Sequence, residues 1–213
     1  MLDRIGPKAL TCAALLAGIA VPAHARAQPP PQPPPQERPY TLVAGIGFDR
    51  GSEELVTVYL DDGSSQTLRA NEGFFLEVGL GFLKYRLQTV SLDTTTTIGV
   101  KGWNVGASNG SIKYLAFPFE IAERLTYQQV RFGAGLSILL VPKITSSGVL
   151  GGNDVDLKSS LGVLFQADWI GKRTPGRAGF YVGARFVWQK LEGEHGTAAV
   201  NANAFGIRTG VEY

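Results

Sequence analysis

From Tyr40 to Tyr213 the chain repeats one pattern, in which large apolar side chains alternate with small or polar ones. A period of two places successive side chains on opposite faces of an extended strand. "FFLEVGLGF" sets Phe74, Leu76, Val78, Leu80 and Phe82 against Phe75, Glu77, Gly79 and Gly81. "KYLAFPFEI" sets Leu115, Phe117, Phe119 and Ile121 against Tyr114, Ala116, Pro118 and Glu120. The same alternation predicts strands over "VRFGAGLSIL" (130–139), "LGVLFQADW" (161–169), "FYVGARFVW" (180–188) and "AFGIRTGVEY" (204–213). Weaker cases over "TLVAGIGF" (41–48) and "TTTTIGVKGW" (94–103) bring the count to eight. Each is roughly the 9 to 11 residues that a tilted membrane-crossing strand needs.

The connections between these segments also alternate. Longer polar loops are predicted over 49–73, 104–110, 142–158 and 191–203. Shorter ones fall around 84–93, 125–129 and 171–177. Within the first long loop, "VTVYLDDGSSQTLRA" (56–70) reads as a hairpin turned at Asp62–Gly63 and is expected to extend the strand wall. Asn109–Gly110 reads as a turn. Pro118, which has no N–H to donate, should mark a bulge or a break in the ladder.

The two faces differ in a way that decides the solvent. One carries the large residues. The other is crowded with glycine, including Gly45, Gly79, Gly133, Gly183 and Gly206. Glycine weakens a strand unless room is needed, and an eight-stranded barrel has an interior only just wide enough for side chains. Large residues then point outward, where only lipid tolerates them, with Phe74, Phe82, Trp169, Trp188 and Tyr213 suited to interfacial girdles. Lipid cannot solvate unpaired backbone groups, so the last strand must pair with the first. The expected fold is an all-β, closed, eight-stranded, up-and-down antiparallel transmembrane barrel.

The final strand, with Phe205, Ile207, Val211 and Tyr213 on its apolar face, resembles the C-terminal assembly signal of bacterial outer-membrane barrels. With the loop asymmetry, the pattern from Tyr40 to Tyr213 resembles the small-barrel group of the outer-membrane protein A transmembrane domain, OmpX and OmpW. The resemblance implies a bacterial outer-membrane location and insertion by the outer-membrane assembly machinery. It carries over no site residues.

The N-terminal residues fit that destination. Arg4 and Lys8 precede an apolar run from Ala9 to Val21, followed by Ala25-Arg26-Ala27, which reads as a secretory signal over 1–27. Residues 28–39, including "PPPQPPPQERP", read as a periplasmic linker, and 40–213 as the barrel domain. Cys12, the one cysteine, lies in the signal, so thiol chemistry is not expected of the mature chain. Without 1–27 the chain has 17 basic and 17 acidic residues, so no basic field argues for nucleic acid.

Candidate chemistry is confined to the inward face. Glu77, Glu120, Asp168 and Glu212 share it with Lys101, Arg131, Arg185 and Arg208. In so narrow a space charges must be paired, so a balanced network filling the lumen is expected. A selectivity ring in a narrow channel for small or hydrophobic solutes is the alternative. The G-x-G pairs are strand alternation, since no helix follows them. His195 is the only histidine after the signal, so no two-histidine metal site is expected and no cofactor is implied. Some eight-stranded barrels deacylate or acylate lipid A with serine–histidine chemistry. Here Thr197 stands near His195, and neither Glu192 nor Glu194 completes a triad, so an enzyme is not expected. Expected partners are outer-membrane lipid and lipopolysaccharide, the assembly machinery, and an extracellular ligand for the loops.

Overall fold

The computed structural model of the chain describes residues 40–59, 63–107, 110–148, 154–171, 177–193 and 199–213. These lie in the second of two units, Glu37–Tyr213, the first being Met1–Gln36. The expected signal (1–27) and linker (28–39) are outside the described residues. In chain order the strands are β1 (Tyr40–Gly51), β2 (Glu54–Tyr59), β3 (Ser65–Arg69), β4 (Gly73–Arg86), β5 (Val90–Ala107), β6 (Gly110–Tyr127), β7 (Val130–Gly148), β8 (Val155–Asp156), β9 (Ser160–Ile170), β10 (Gly179–Leu191), β11 (Val200–Asn201) and β12 (Ala204–Glu212).

Eight of these contain the alternating segments and pair antiparallel in the order β1–β4–β5–β6–β7–β9–β10–β12. β12 then pairs with β1, from Val43↔Glu212 to Gly51↔Ala204, and the ring closes. The stagger can be followed through paired residues. Tyr40 pairs with Phe82, and the row continues through Thr94, Glu123, Ala134, Phe165, Phe186 and Phe205. It returns to β1 at Arg50, ten residues beyond its start. For eight strands about 4.8 Å apart, that stagger tilts each strand by about 40°. The levels of Tyr40 and Arg50 are then about 25 Å apart along the barrel axis, the height of an apolar band in an outer-membrane barrel.

The outer wall over that height is apolar: Ile46, Leu76, Ile98, Phe132, Leu136, Phe165 and Ile207 are all exposed. Near the level of Tyr40 the exposed aromatics are Phe82, Tyr127, Trp169, Phe180 and Tyr213, with the Trp169 and Phe180 rings 5.3 Å apart. Near Arg50 they include Phe74 and Trp188, and Phe74 packs 4.9 Å from Phe48 and 5.6 Å from Trp103. These are two girdles at the two edges of the band.

Several strands and connections depart from the sequence expectation. β5, β6 and β7 run to 18, 18 and 19 residues, far past 9 to 11. The expected loop over 104–110 is instead a tall hairpin, with β5 continuing to Ala107 and β6 starting at Gly110. Above the membrane a wall can be polar outside, so apolar alternation fades while the ladder continues. Likewise 142–158 and 191–203 contain the ends of β7 and β10 and the short strands β8 and β11.

Near Pro118 the β5–β6 ladder has no paired rungs for Gly99 and Val100, though the register is the same on either side. Pro118 itself pairs in register with Leu139, and the bulge lies on β7 at Val141, whose φ is 46°. That bulge moves the inward set of β7 from odd positions up to Leu139 to Pro142 and Ile144.

The hairpin β2–β3 forms as expected, with Tyr59↔Ser65 nearest its turn; Asp62 lies outside the described residues. It does not extend the wall. β2 and β3 make a sheet of their own, and Val58, Leu68 and Ala70 are buried against Val105, Ile112, Tyr114, Leu139, Ile144 and Leu191 from the inner wall. The apolar face of an isolated two-stranded sheet needs a cover, and the mouth of the barrel supplies it.

Candidate functional site: the charged lumen beneath an apolar plug

All eight expected lumen charges are buried: Glu77, Lys101, Glu120, Arg131, Asp168, Arg185, Arg208 and Glu212. The structure links them through two further buried residues, Asp49 and Arg124. The links form one chain of alternating sign. Lys101 donates to Asp49, whose carboxylate lies 3.5 Å from Arg185. Arg185 donates to Glu120 and lies 3.9 Å from Glu77. Glu77 is 3.3 Å from Arg208, and Arg208 is 2.8 Å from Asp168. Asp168 accepts from Arg131 at 3.0 Å, and Arg131 donates to Glu212 at 2.5 Å. Glu212 is held 2.8 Å from Arg124, whose Nε donates to Asp93 at 2.5 Å.

Asp93, which ends the chain, is outside the expected set, and so are the two buried additions Asp49 and Arg124. Both continue the inward parity of their strands, Asp49 after Val43, Gly45 and Gly47, and Arg124 after Glu120 and Ala122. Their signal is present but lies beyond the segments in which the apolar alternation is clear. The ten buried members balance, with Asp49, Glu77, Glu120, Asp168 and Glu212 facing Lys101, Arg124, Arg131, Arg185 and Arg208, and the partly buried Asp93 ends the chain as a sixth acid.

Two aromatic rings are interleaved with the cations. Phe75 lies under Arg185, 4.6 Å from ring centroid to guanidinium carbon. Tyr181 sits between Arg131 at 5.3 Å and Arg208 at 5.0 Å, and its hydroxyl donates to Glu77 at 3.2 Å. Planar guanidinium groups stack on such faces while their edges bind carboxylates. At the upper end Lys101 also donates to the Asn71 side chain at 2.7 Å, directly below the apolar cluster of the hairpin. The lumen retains a cavity of about 10 Å³ beside Thr95, Gln166 and Arg208, room for about one water.

The outward residues of the terminal strand, Phe205, Ile207, Val211 and Tyr213, are all exposed, and Tyr213 exchanges two backbone hydrogen bonds with Leu42. His195, Glu194 and Thr197 lie outside the described residues. Glu192 is exposed and 3.8 Å from Lys158.

A closed antiparallel ring of eight tilted strands, apolar outside and charged within, defines the class by its fold: a small eight-stranded transmembrane β-barrel. No protein-family model and no curated protein sequence matches the chain. Solved structures similar to it include Neisserial surface protein A (NspA), at 16% identity over 82% of this chain and 96% of that one, with a TM-score of 0.45. Another is Ail, the attachment invasion locus protein of Yersinia pestis, in complex with the heparin analogue sucrose octasulfate. It is 12% identical over 82% and 97% of the two chains, with a TM-score of 0.44. A third is the outer-membrane protein AlkL, at 14% identity over 81% and 89%, with a TM-score of 0.40.

Proposed function

We propose that this chain is an outer-membrane barrel with a non-conducting lumen, serving as a structural or surface-interaction scaffold whose long-loop end meets ligands outside the cell. The observation that carries the reading is the unbroken ladder from Lys101 to Asp93 beneath the apolar plug. A narrow lumen so filled has no path for a hydrated ion. Function then belongs to the loops and to the outer wall, which meets lipid and lipopolysaccharide.

Single-channel conductance of the refolded chain in a planar bilayer tests this, with a heat-dependent gel shift establishing that the barrel is folded. No discrete steps are expected. Stable steps whose size changes in Arg185→Gln or Asp168→Asn would overturn the reading and make the lumen a path.

That outcome would favour a narrow channel for small or hydrophobic solutes. One feature supports this second reading: the plug β2–β3 shares no ladder with the wall, so it can move without unpairing a wall strand.

The terminal strand, through Phe205, Ile207, Val211 and Tyr213, is the proposed contact for the assembly machinery. Deleting Tyr213 should reduce the amount of heat-shiftable barrel in the outer membrane. Normal levels of the truncated protein would remove this role.

A further inference from the structure

The outer wall carries a charge where lipid is expected. Glu123 faces outward on β6, accepting from Lys84 Nζ at 2.5 Å and Thr94 Oγ1 at 2.9 Å. Glu123 is three strand steps along the row that climbs from Tyr40 to Arg50, so it stands about 9 Å above the level of Tyr40, inside the apolar band. Exposed Leu125 and Tyr127 continue β6 below it, and exposed Ile121 and Phe117 lie above. Charges on a lipid-facing wall are unfavourable in proportion to their depth, and an ionisable group there is by default functional. Lys84 and Glu123 are each about half exposed, so the pair keeps binding capacity on its outer side.

A second feature adjoins it. From Glu123 a groove of about 620 Å³ runs across the outer faces of β7, β9 and β10. Its floor is Ala134, Ala167 and Ala184, and Phe132, Phe165 and Phe186 stand along it. Cross-strand pairing sets the depression: Ala167 lies between Phe132 and Ala184, and Ala134 beside Phe165. Three alanines replace the large outward residues found elsewhere on the wall.

We propose that Lys84, Glu123 and this groove form one site for a zwitterionic phospholipid of the periplasmic leaflet. The lipid ammonium would pair with the Glu123 carboxylate and its phosphate with Lys84, while one acyl chain fills the alanine-floored groove. Charge complementarity selects this occupant: the wall presents one anion and one cation side by side at the head of an apolar track. An anionic lipid would satisfy Lys84 and leave Glu123 repelling its headgroup. The inference rests on the outer-membrane reading above.

The test is native mass spectrometry of the full-length mature barrel refolded in vesicles of equal phosphatidylethanolamine and phosphatidylglycerol. Retained phosphatidylethanolamine should exceed phosphatidylglycerol about threefold, the scale of an exposed ion pair. E123Q should bring the ratio to about one, and A167F, which fills the groove, should reduce retention of both lipids. Equal retention of the two lipids by the unaltered chain, or an unchanged ratio in E123Q, would overturn the site. A dimer displacing lipid would overturn it in favour of a second copy as occupant. The heat-dependent shift separates the two levels: its absence defeats the membrane reading, whereas a shift without headgroup preference defeats only the lipid site.

Discussion

Gly206 faces Asp49 across the β1–β12 seam, and a methyl group on it would meet the Asp49 Oδ1 at 1.9 Å and the Phe48 carbonyl at 2.6 Å. Gly183 stands in the same relation to Asp168, at 2.2 Å. The inward glycines therefore do more than narrow the barrel: they clear the space into which a carboxylate on the neighbouring strand turns. Gly206→Ala is expected to cost about 1–3 kcal/mol by overpacking, read by urea unfolding in vesicles; an unchanged midpoint would mean that Asp49 moves freely. Removing the Asp49 charge separates pairing from packing. Asp49→Asn keeps the shape but leaves Lys101 and Arg185 short of an anion, and should cost about 3–5 kcal/mol. Glu54→Ala breaks the more exposed pair with Arg69 and should cost at most about 1 kcal/mol. Equal losses for the two substitutions would deny the buried ladder its special weight. Eight of its members were legible because a period of two assigns each residue a face. Which glycine faces which acid was not legible, since register between strands is set by ring closure and stagger rather than by any one strand.

At the scale of elements, β2–β3 behaves as a plug seated in the mouth. Leu68, with 0% of its surface exposed, is the largest fully buried side chain that the hairpin packs against the wall. Leu68→Asp places an unpaired charge there, which the hairpin can relieve by swinging out into water. Amides of Val56, Val58 and Leu68 should then exchange faster by orders of magnitude, while the β1–β12 and β9–β10 ladders keep their protection. Loss of protection throughout the barrel would make the hairpin part of the wall. The sequence announced this hairpin through its turn residues but gave no sign of its partner, because its alternation suits a wall strand and a plug equally. The tall β5–β6 hairpin was hidden for a related reason. Above the band, Asn104 and Lys113 pair across strands with polar side chains exposed, and a helix of apolar periodicity or a lipid-facing alternation is no longer there to be read.

For the whole molecule, tilt and stagger convert residue positions into depth, and the three tryptophans of the chain make that conversion measurable. Trp169 lies about 6 Å above the level of Tyr40, whereas Trp188 lies about 1 Å below that of Arg50, near the opposite edge of a band about 25 Å high. Both side chains are exposed on the outer wall. In variants keeping only one of them, fluorescence should be quenched more by lipids brominated near the headgroup than by lipids brominated near the chain ends. Maximal quenching of Trp188 at the bilayer centre would mean that the band sits higher on the barrel, with the plug and the upper parts of β5, β6 and β7 immersed in lipid. The same arithmetic puts Ala134, Ala167 and Ala184 within a few ångströms of mid-depth. A band displaced upward would leave the Lys84–Glu123 pair at the aqueous edge and take away the depth that makes it unusual. The depth of Trp188 therefore bears on the orientation of the barrel and on the meaning of its outward charge in one measurement.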